Sequence, residues 1–414
     1  MSVTVLVIFG LVYLGMILGG LPFLQLDRTG IALLGAIAMI ATEAVSVEQA
    51  AQSIHLPTVL LLFSFMVVSA QIRLGGFYDW VTLRLANLGV GPAWLLGTLI
   101  LAAALLSAVF SNDIVCLAMT PLLVDACLRR RLDPVPFLLG LACAANIGSA
   151  ATLIGNPQNM LIGQTLRLPF AGYALEAALP VLAGLLLTWG IIVLGSRGRW
   201  QLPDLGARVA PPQPAPIALD RWQTVKGLGV ALLILMAFLF APWPHEVVAL
   251  TGAGVLLMSR KLQSSRMLGL VDWELLVLFM GLFVVNAALQ RTGLPARAVQ
   301  EMAALGLHLE HPATLFGAAF VLSNIVSNVP AVMLLLPVAK DPLAGPVLAL
   351  ASTFAGNLFI VGSIANLIVV DAAGRRGVVI DWRRHARVGI PVTLATMAAT
   401  GVYLAWRAGM PAGA

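Results

Sequence analysis

A single carboxylate, Asp113, stands beside Ser111 and Asn112 in the middle of an apolar run from Pro92 to Leu128. The stretch reads SNDIVCLAMTP, and a near copy without the carboxylate, SNVPAVMLLLP, runs from Ser327 to Pro337. Two further polar clusters interrupt apolar runs: NIGSAATLIGNPQN, Asn146 to Asn159, and GNLFIVGSIAN, Gly356 to Asn366. Gly and Pro there break helix, while Asn, Ser and Thr supply neutral donors and acceptors. A helix broken at membrane depth leaves free N–H groups that attract anions and free carbonyls that attract cations. That is the chemistry of holding ions and small solutes. Bond-making chemistry would need paired acids, a Ser/His pair or a His-rich metal motif. No H-E-x-x-H occurs, and His55, His245, His308, His311 and His385 all fall near loops.

The elements that must position these residues are membrane helices. The 414 residues are 60% hydrophobic and 10% charged, against about 25% charged in soluble domains. The apolar runs are continuous and about 17–25 residues long, which fits spanning helices rather than the alternating strands of a barrel. The net charge of +6 therefore speaks to topology and not to nucleic acid. Cys116, Cys127 and Cys143 lie in or beside apolar segments and read as small buried thiols, with no metal-ligand spacing and no disulfide framework. Val3 to Leu24 lacks a basic leader and a clear small-residue cleavage site, so it reads as a retained helix.

The runs are 3–24, 29–45, 57–72, 92–128, 136–165 and 172–195, then 223–241, 246–259, 272–290, 312–339, 346–371 and 387–407. Between the two sets lies a Pro- and Arg-rich stretch that cannot form regular helix. The halves match. Thr58–Gly76 aligns with Glu274–Gly293, and the two Ser-Asn stretches align, both at an offset of 216 residues; Gly155–Ile162 aligns with Gly362–Val369 at 207. The expected organisation is a first repeat over 1–195, a cytoplasmic linker over 196–222 and a second repeat over 223–414. If 92–128 and 312–339 are re-entrant hairpins, each half crosses five times and the second half is inverted. With both termini outside, this places 19 of the 24 Lys and Arg residues on the cytoplasmic side, as the positive-inside rule requires. The fold class is thus all-α and polytopic: two inverted repeats, each about five transmembrane helices plus one re-entrant hairpin, with discontinuous helices.

Paired helix breaks in inverted repeats mark a secondary transporter with its site near the midplane. Ser, Asn and Gly also mediate close helix packing, but four polar breaks in a two-fold arrangement argue for binding. Asp113 is the acid at a deep position. An ionised carboxylate there costs about 2.5–3.5 kcal/mol or more, so it either binds a coupling cation with Ser and Asn oxygens or carries a proton. The breaks contain no Lys or Arg. A polyanion would be held by dipoles, amides and coupling cations. A channel would need a continuous polar file, whereas these breaks cluster at one depth.

The paired Ser-Asn stretches, ATLIGNPQN and GNLFIVGSIANLIVV resemble the ion transporter superfamily. The nearest likeness is to arsenite permeases, NhaD-type sodium/proton antiporters and citrate-transporter-like bacterial anion permeases. The resemblance covers most of the chain outside the linker. It implies a scaffold, a mobile transport domain, elevator motion and a homodimer in the bacterial inner membrane. An arsenite permease would add a cytosolic ATPase partner. No resident metal or cofactor is implied; the coupling ion is H+ or Na+, and the partners are a small inorganic solute and the lipid bilayer. The divalent-anion symporters resemble one another in Ser-Asn-Thr at both tips, whereas Asp113 and Val329 hold the third positions here. The two tips therefore have different work. Ser111, Asn112, Asp113, Gly148 and Asn156 are the expected coupling-ion residues. Asn146, Ser149, Thr152, Asn159, Ser327, Asn328, Gly356, Asn357, Ser363 and Asn366 are the expected substrate residues. The expectation is ion-coupled transport of an arsenite-like oxyacid or anion. Sodium/proton exchange and divalent-anion or carboxylate symport are the alternatives.

Overall fold

The structure is a computed structural model that describes residues 2–20, 25–202 and 219–409. The first ten helices are α1 (Ser2–Leu18), α2 (Arg28–Ala41), α3 (Val47–Ser53), α4 (Leu56–Leu74), α5 (Phe77–Ala86), α6 (Pro92–Val109), α7 (Asn112–Arg129), α8 (Pro134–Ser149), α9 (Pro157–Thr165) and α10 (Phe170–Gly195). Ten more follow in the same order of long and short: α11 (Arg221–Phe240), α12 (His245–Leu257), α13 (Ser264–Leu268), α14 (Trp273–Arg291), α15 (Leu294–Ala304), α16 (Pro312–Val326), α17 (Asn328–Leu335), α18 (Ala344–Ala355), α19 (Ile364–Gly374) and α20 (Trp382–Ala408). The described residues form no strand.

Six helices, α4, α6, α10, α11, α14 and α20, are long and apolar enough to cross a membrane unaided. α20 has 27 residues, about 40 Å at 1.5 Å per residue, which exceeds a hydrocarbon core of about 30 Å. Exposed Trp382 and Trp406 mark its two ends, and exposed Trp222 and Trp243 bracket α11, where amphipathic rings sit at membrane–water boundaries. The shorter α8 and α9, and likewise α18 and α19, supply a crossing only in tandem across their breaks.

The two sets of ten helices interlock. α2 packs on α14 of the other set, and α12 packs on α4; α10 and α20 pack on each other. Small residues make these crossings close. A methyl at Gly281 on α14 would lie 2.8 Å from the Ala32 backbone of α2. A methyl at Gly35 of α2 would lie 3.2 Å from Val285 of α14; within the sets, it would lie 2.3 Å from Val12 of α1, and one at Gly252 of α12 would lie 2.6 Å from Ile234 of α11.

The predicted breaks at Ser111, Ser327, 150–156 and 356–363 are where helices end and restart. Four short helices were not separated by the apolar runs: α3, α5, α13 and α15. Each is too short or too polar to register as a run. α5 and α15 both follow a left-handed glycine, Gly76 at φ 75° and Gly293 at φ 71°. The expected linker lies between 203 and 218 outside the described residues. Its described ends are held: Trp200 and Leu202 bond to the backbone of Asp133 and Arg131, and Asp220 N–H donates to the Gly75 carbonyl.

Replacing Gly281 with Leu forces side-chain atoms into the α2 backbone. Overpacking of this kind costs about 1–3 kcal/mol. The purified Gly281→Leu protein should melt several degrees below wild type in detergent, with Gly281→Ala intermediate. Unchanged melting of Gly281→Leu would refute the close crossing.

Candidate functional site

The site is built around one amide. Asn146, near the end of α8, is 2% exposed. Its Oδ1 accepts from Asn112 Nδ2 at 3.1 Å and from Ser363 Oγ at 2.9 Å. Its Nδ2 donates to Asn357 Oδ1 at 2.8 Å and Asn366 Oδ1 at 3.2 Å. Both acceptor and both donor positions of the amide are thus used. Through one side chain, the start of α7 is tied to the loop and half-helix that follow α18 in the other set.

The reciprocal contact exists at Thr353, the residue of α18 that corresponds to Asn146. Thr353 Oγ1 accepts from Asn156 Nδ2 at 3.3 Å and from Gln158 Nε2 at 3.2 Å. Each broken loop therefore bonds to the helix of the opposite set. Within each loop the pattern also repeats. Asn159 Nδ2 donates to the carbonyls of Thr152 at 3.0 Å and Ser149 at 3.5 Å. Asn366 Nδ2 donates to those of Phe359 at 3.1 Å and Gly356 at 2.8 Å, the matching positions. Asn156 and Ser363 cap the half-helices α9 and α19 by accepting from the backbone N–H of Asn159 and Ala365.

The Ser-Asn junctions contribute oxygens with no protein partner. Ser107 Oγ and Asn112 Oδ1 at one junction, and Ser323 Oγ and Asn328 Oδ1 at the other, are buried and unpaired. The two pairs share the offset of 216. Asn324 Oδ1 is a fifth, set over Gly362, where an added methyl would lie 3.5 Å from it. The junctions differ in backbone. Ser111 has φ −56°, but Ser327 has φ +79°, a conformation costly for a residue with a side chain and concentrated at functional sites.

The expected coupling and substrate residues do not form two separate groups. Asn112 bonds directly to Asn146, and Asn156 bonds to Ser149 Oγ at 2.8 Å. Ser149 Oγ in turn donates to the Asn146 carbonyl. Thr152 Oγ1 donates to the Ala108 carbonyl, which braces the first loop against α6. Gly148 serves the α8–α6 crossing, since a methyl there would lie 2.3 Å from Ala104 Cα. Gly356 faces Asn328, whose Nδ2 would stand 3.1 Å from an added methyl. Asp113 is half-buried in the first turn of α7 and makes no side-chain hydrogen bond or ion pair among the described residues. The helix N-terminus faces its charge favourably.

Several site residues were passed over in the sequence. Ser323-Asn324 lies four residues before Ser327-Asn328, so the doubled Ser-Asn in VLSNIVSN was a legible signal. Gln158 stood inside the GNPQN cluster but was not singled out, and Thr353 carried no signal. Tyr173 and His385 also reach the loops. Tyr173 Oη donates to the Ala150 carbonyl at 2.7 Å, and His385 Nε2 meets the Asn357 carbonyl at 3.1 Å. Among the described residues no cluster of three His, Cys, Asp or Glu side chains could hold a metal ion.

Known proteins resemble this chain along nearly its whole length. The "46 kDa membrane protein" of Mycobacterium leprae is 29% identical over 402 residues, covering 92% of this chain and 94% of its own. The silicon efflux transporter LSI3 of Oryza sativa subsp. japonica is 30% identical over 466 aligned positions, covering 95% of each. In fold, the chain is similar to the crystal structure of the Alcanivorax borkumensis YdaH transporter, described as having an unusual topology, with a TM-score of 0.58, 16% identity, and coverage of 99% of this chain and 98% of that one. The family model described as "Citrate transporter" matches residues 4–355. By that match, and with the broken helices and amide network arranged as above, this chain is a multi-pass membrane protein that belongs to the citrate transporter family of the ion transporter superfamily.

Proposed function

We propose that the protein is an ion-coupled secondary transporter that moves a small, hydroxyl-rich inorganic oxyacid by an elevator-type exchange of access. The observation that carries this reading is the amide network around Asn146. It joins the two halves with neutral donors and acceptors, and no Lys or Arg side chain enters it. A neutral polyhydroxy acid, such as arsenous or silicic acid, offers hydroxyls that match such a lining. The relative named for silicon efflux supports an inorganic solute. The family's own name favours a second reading, a carboxylate symporter. A polyanion in this site needs cations beside it, and the unpaired oxygens at the Ser-Asn junctions would hold them. Sodium/proton exchange through Asp113 is the remaining alternative.

The coupling ion, H+ or Na+, is assigned to the Ser111-Asn112-Asp113 junction, and the solute to the space between the two junctions and the two loops. The repeats 1–195 and 223–414 are read as inverted, with re-entrant hairpins at α6–α7 and α16–α17. Both termini lie outside, and the 196–222 linker is cytoplasmic in the inner membrane. A homodimer and, for an arsenite permease, a cytosolic ATPase remain partners to seek.

Elevator motion draws support from asymmetry between the sets. α5 packs on α7, while α15 has no buried residue. The first loop is covered, with Ile154 2% exposed; its counterpart Val361 in the second loop is 57% exposed. Gly76 and Gly293 are placed to act as pivots for the arms α5 and α15.

Uptake into proteoliposomes tests the function. Arsenite, silicate, sulfate, phosphate and citrate should be compared under imposed sodium or proton gradients. Saturable, gradient-driven accumulation of the oxyacids is expected. Sodium-driven proton movement with no solute transported would establish the antiporter instead, and accumulation of citrate alone the carboxylate reading.

Asn146→Ala removes a group on which four side chains depend, and each buried polar group left unpaired costs about 1–3 kcal/mol. Transport should fall at least about tenfold, and Asn146→Asp should do no better because its oxygens face two amide oxygens. Near-normal rates in both variants would remove the hub from the mechanism. Alternating access predicts that a cysteine at Val361 reacts with a membrane-impermeant maleimide from one side while one at Ile154 is protected, and that cross-linking the opposite state reverses the pattern. Equal labelling of both under all conditions would exclude the exchange.

A further inference from the structure

We infer that His385 is a proton-binding site that couples the second broken loop to pH. The inference rests on the transporter reading above and deepens it. Tyr173 and His385 occupy the same place in the repeat. Each is the fourth residue of its helix, in α10 and α20. Each bonds to a carbonyl within two residues of the end of the preceding broken helix: Tyr173 to Ala150, and His385 to Asn357, positions that match at the offset of 207. The first set therefore pins its loop with a phenol, whose charge does not change near neutral pH. The second pins its loop with an imidazole, whose charge does.

The tautomer follows from the contacts. The Asn357 carbonyl only accepts, so Nε2 carries the hydrogen. Nδ1 is buried with no partner, in a side chain that is 2% exposed. A proton added to Nδ1 would place an N–H and a full charge where nothing accepts them, which is costly. The arrangement described is thus the neutral one. Protonation must move the ring, the loop or both. Asn357 carries that movement inward, because its side chain accepts from Asn146.

Other charges around His385 are few. α16 and α18, which pack against α20, carry no titratable side chain; α8 contributes only the Cys143 thiol. α10 contributes Tyr173 and Glu176, and Glu176 is paired with Arg407 near the far end of α20. On its own helix stand Arg383, Arg384 and Arg387, with Asp381 capping the backbone of Arg384. The loop 356–363 carries no charge. A proton on His385 is therefore the charge that changes beside this loop, distinct from Asp113 at the other junction.

Two measurements on the full-length protein test the assignment. In nanodiscs without solute, imidazole 15N NMR should give one signal, missing in His385→Gln, that is the Nε2–H tautomer at neutral pH and gains a proton as pH falls from about 7 to about 4. A His385 signal unchanged across that range overturns the proposal, whatever the substrate proves to be. In proteoliposomes, His385→Gln keeps a donor for the Asn357 carbonyl but cannot titrate. Whatever its rate, the remaining arsenite uptake should lose its dependence on pH across that range. The control Tyr173→Phe should keep the wild-type pH profile. A His385→Gln protein with the wild-type profile overturns the proposal, while wild-type vesicles that take up no solute would count against the transported substrate and leave the NMR result to decide the proton site.

Discussion

Broken helices survive at membrane depth only if something replaces the hydrogen bonds that the breaks remove. Lipid offers no donors or acceptors, so each freed carbonyl must be met by protein. Here the replacement is a side-chain amide used twice in the same way. Asn159 spans back to the carbonyls of Ser149 and Thr152, and Asn366 spans back to those of Gly356 and Phe359. Each amide holds its loop in an open turn and leaves Ser or Asn side chains free to point elsewhere. The rest of the site depends on this, since Asn146 and Thr353 find their partners only because the loops opposite them are held in place.

Reciprocity across the halves follows from the same constraint. A loop stabilised only by its own half would be free to collapse into it. Asn146 reaches Asn357 and Asn366, while Asn156 and Gln158 reach Thr353. Neither half can complete its polar bonding alone. The tight crossings of α2 on α14 and α4 on α12 extend that mutual dependence into the apolar layers, where packing and not hydrophobic exclusion from water must hold helices together.

Much of this was legible in the residues. The breaks were readable because Gly, Pro, Asn and Ser are conspicuous in apolar runs, and the repeat because two segments share one offset. Asn146 was visible as a polar residue in a polar cluster. Its place as the hub was not, since its partners lie 34, 211, 217 and 220 residues away in the chain. The arms α5 and α15 were missed because they are short and carry charges, Asp79 and Arg84 in one and Arg297 and Glu301 in the other, and so leave no apolar run. His385 read as a loop histidine, for it starts a helix among three arginines. Only packing against Asn357 buries it.

The departures from symmetry are the most informative part of the molecule. Two halves with identical chemistry would give neither of two mirror-related arrangements an advantage. The structure places three differences at equivalent positions: Asp113 against Val329, Ser111 in an ordinary conformation against Ser327 at φ +79°, and Tyr173 against His385. At the Tyr173/His385 pair the hydrogen bond to the loop is kept and the ability to take a proton changes; at the Ser-Asn junctions charge and backbone conformation change, and only Asn112 bonds across to the other half's hub. A ligand shifts an equilibrium between two conformations only by as much as its free energy differs between them. Where the halves are alike a ligand meets the same contacts in both, so it is at these unlike positions that a preference for one conformation has a physical source.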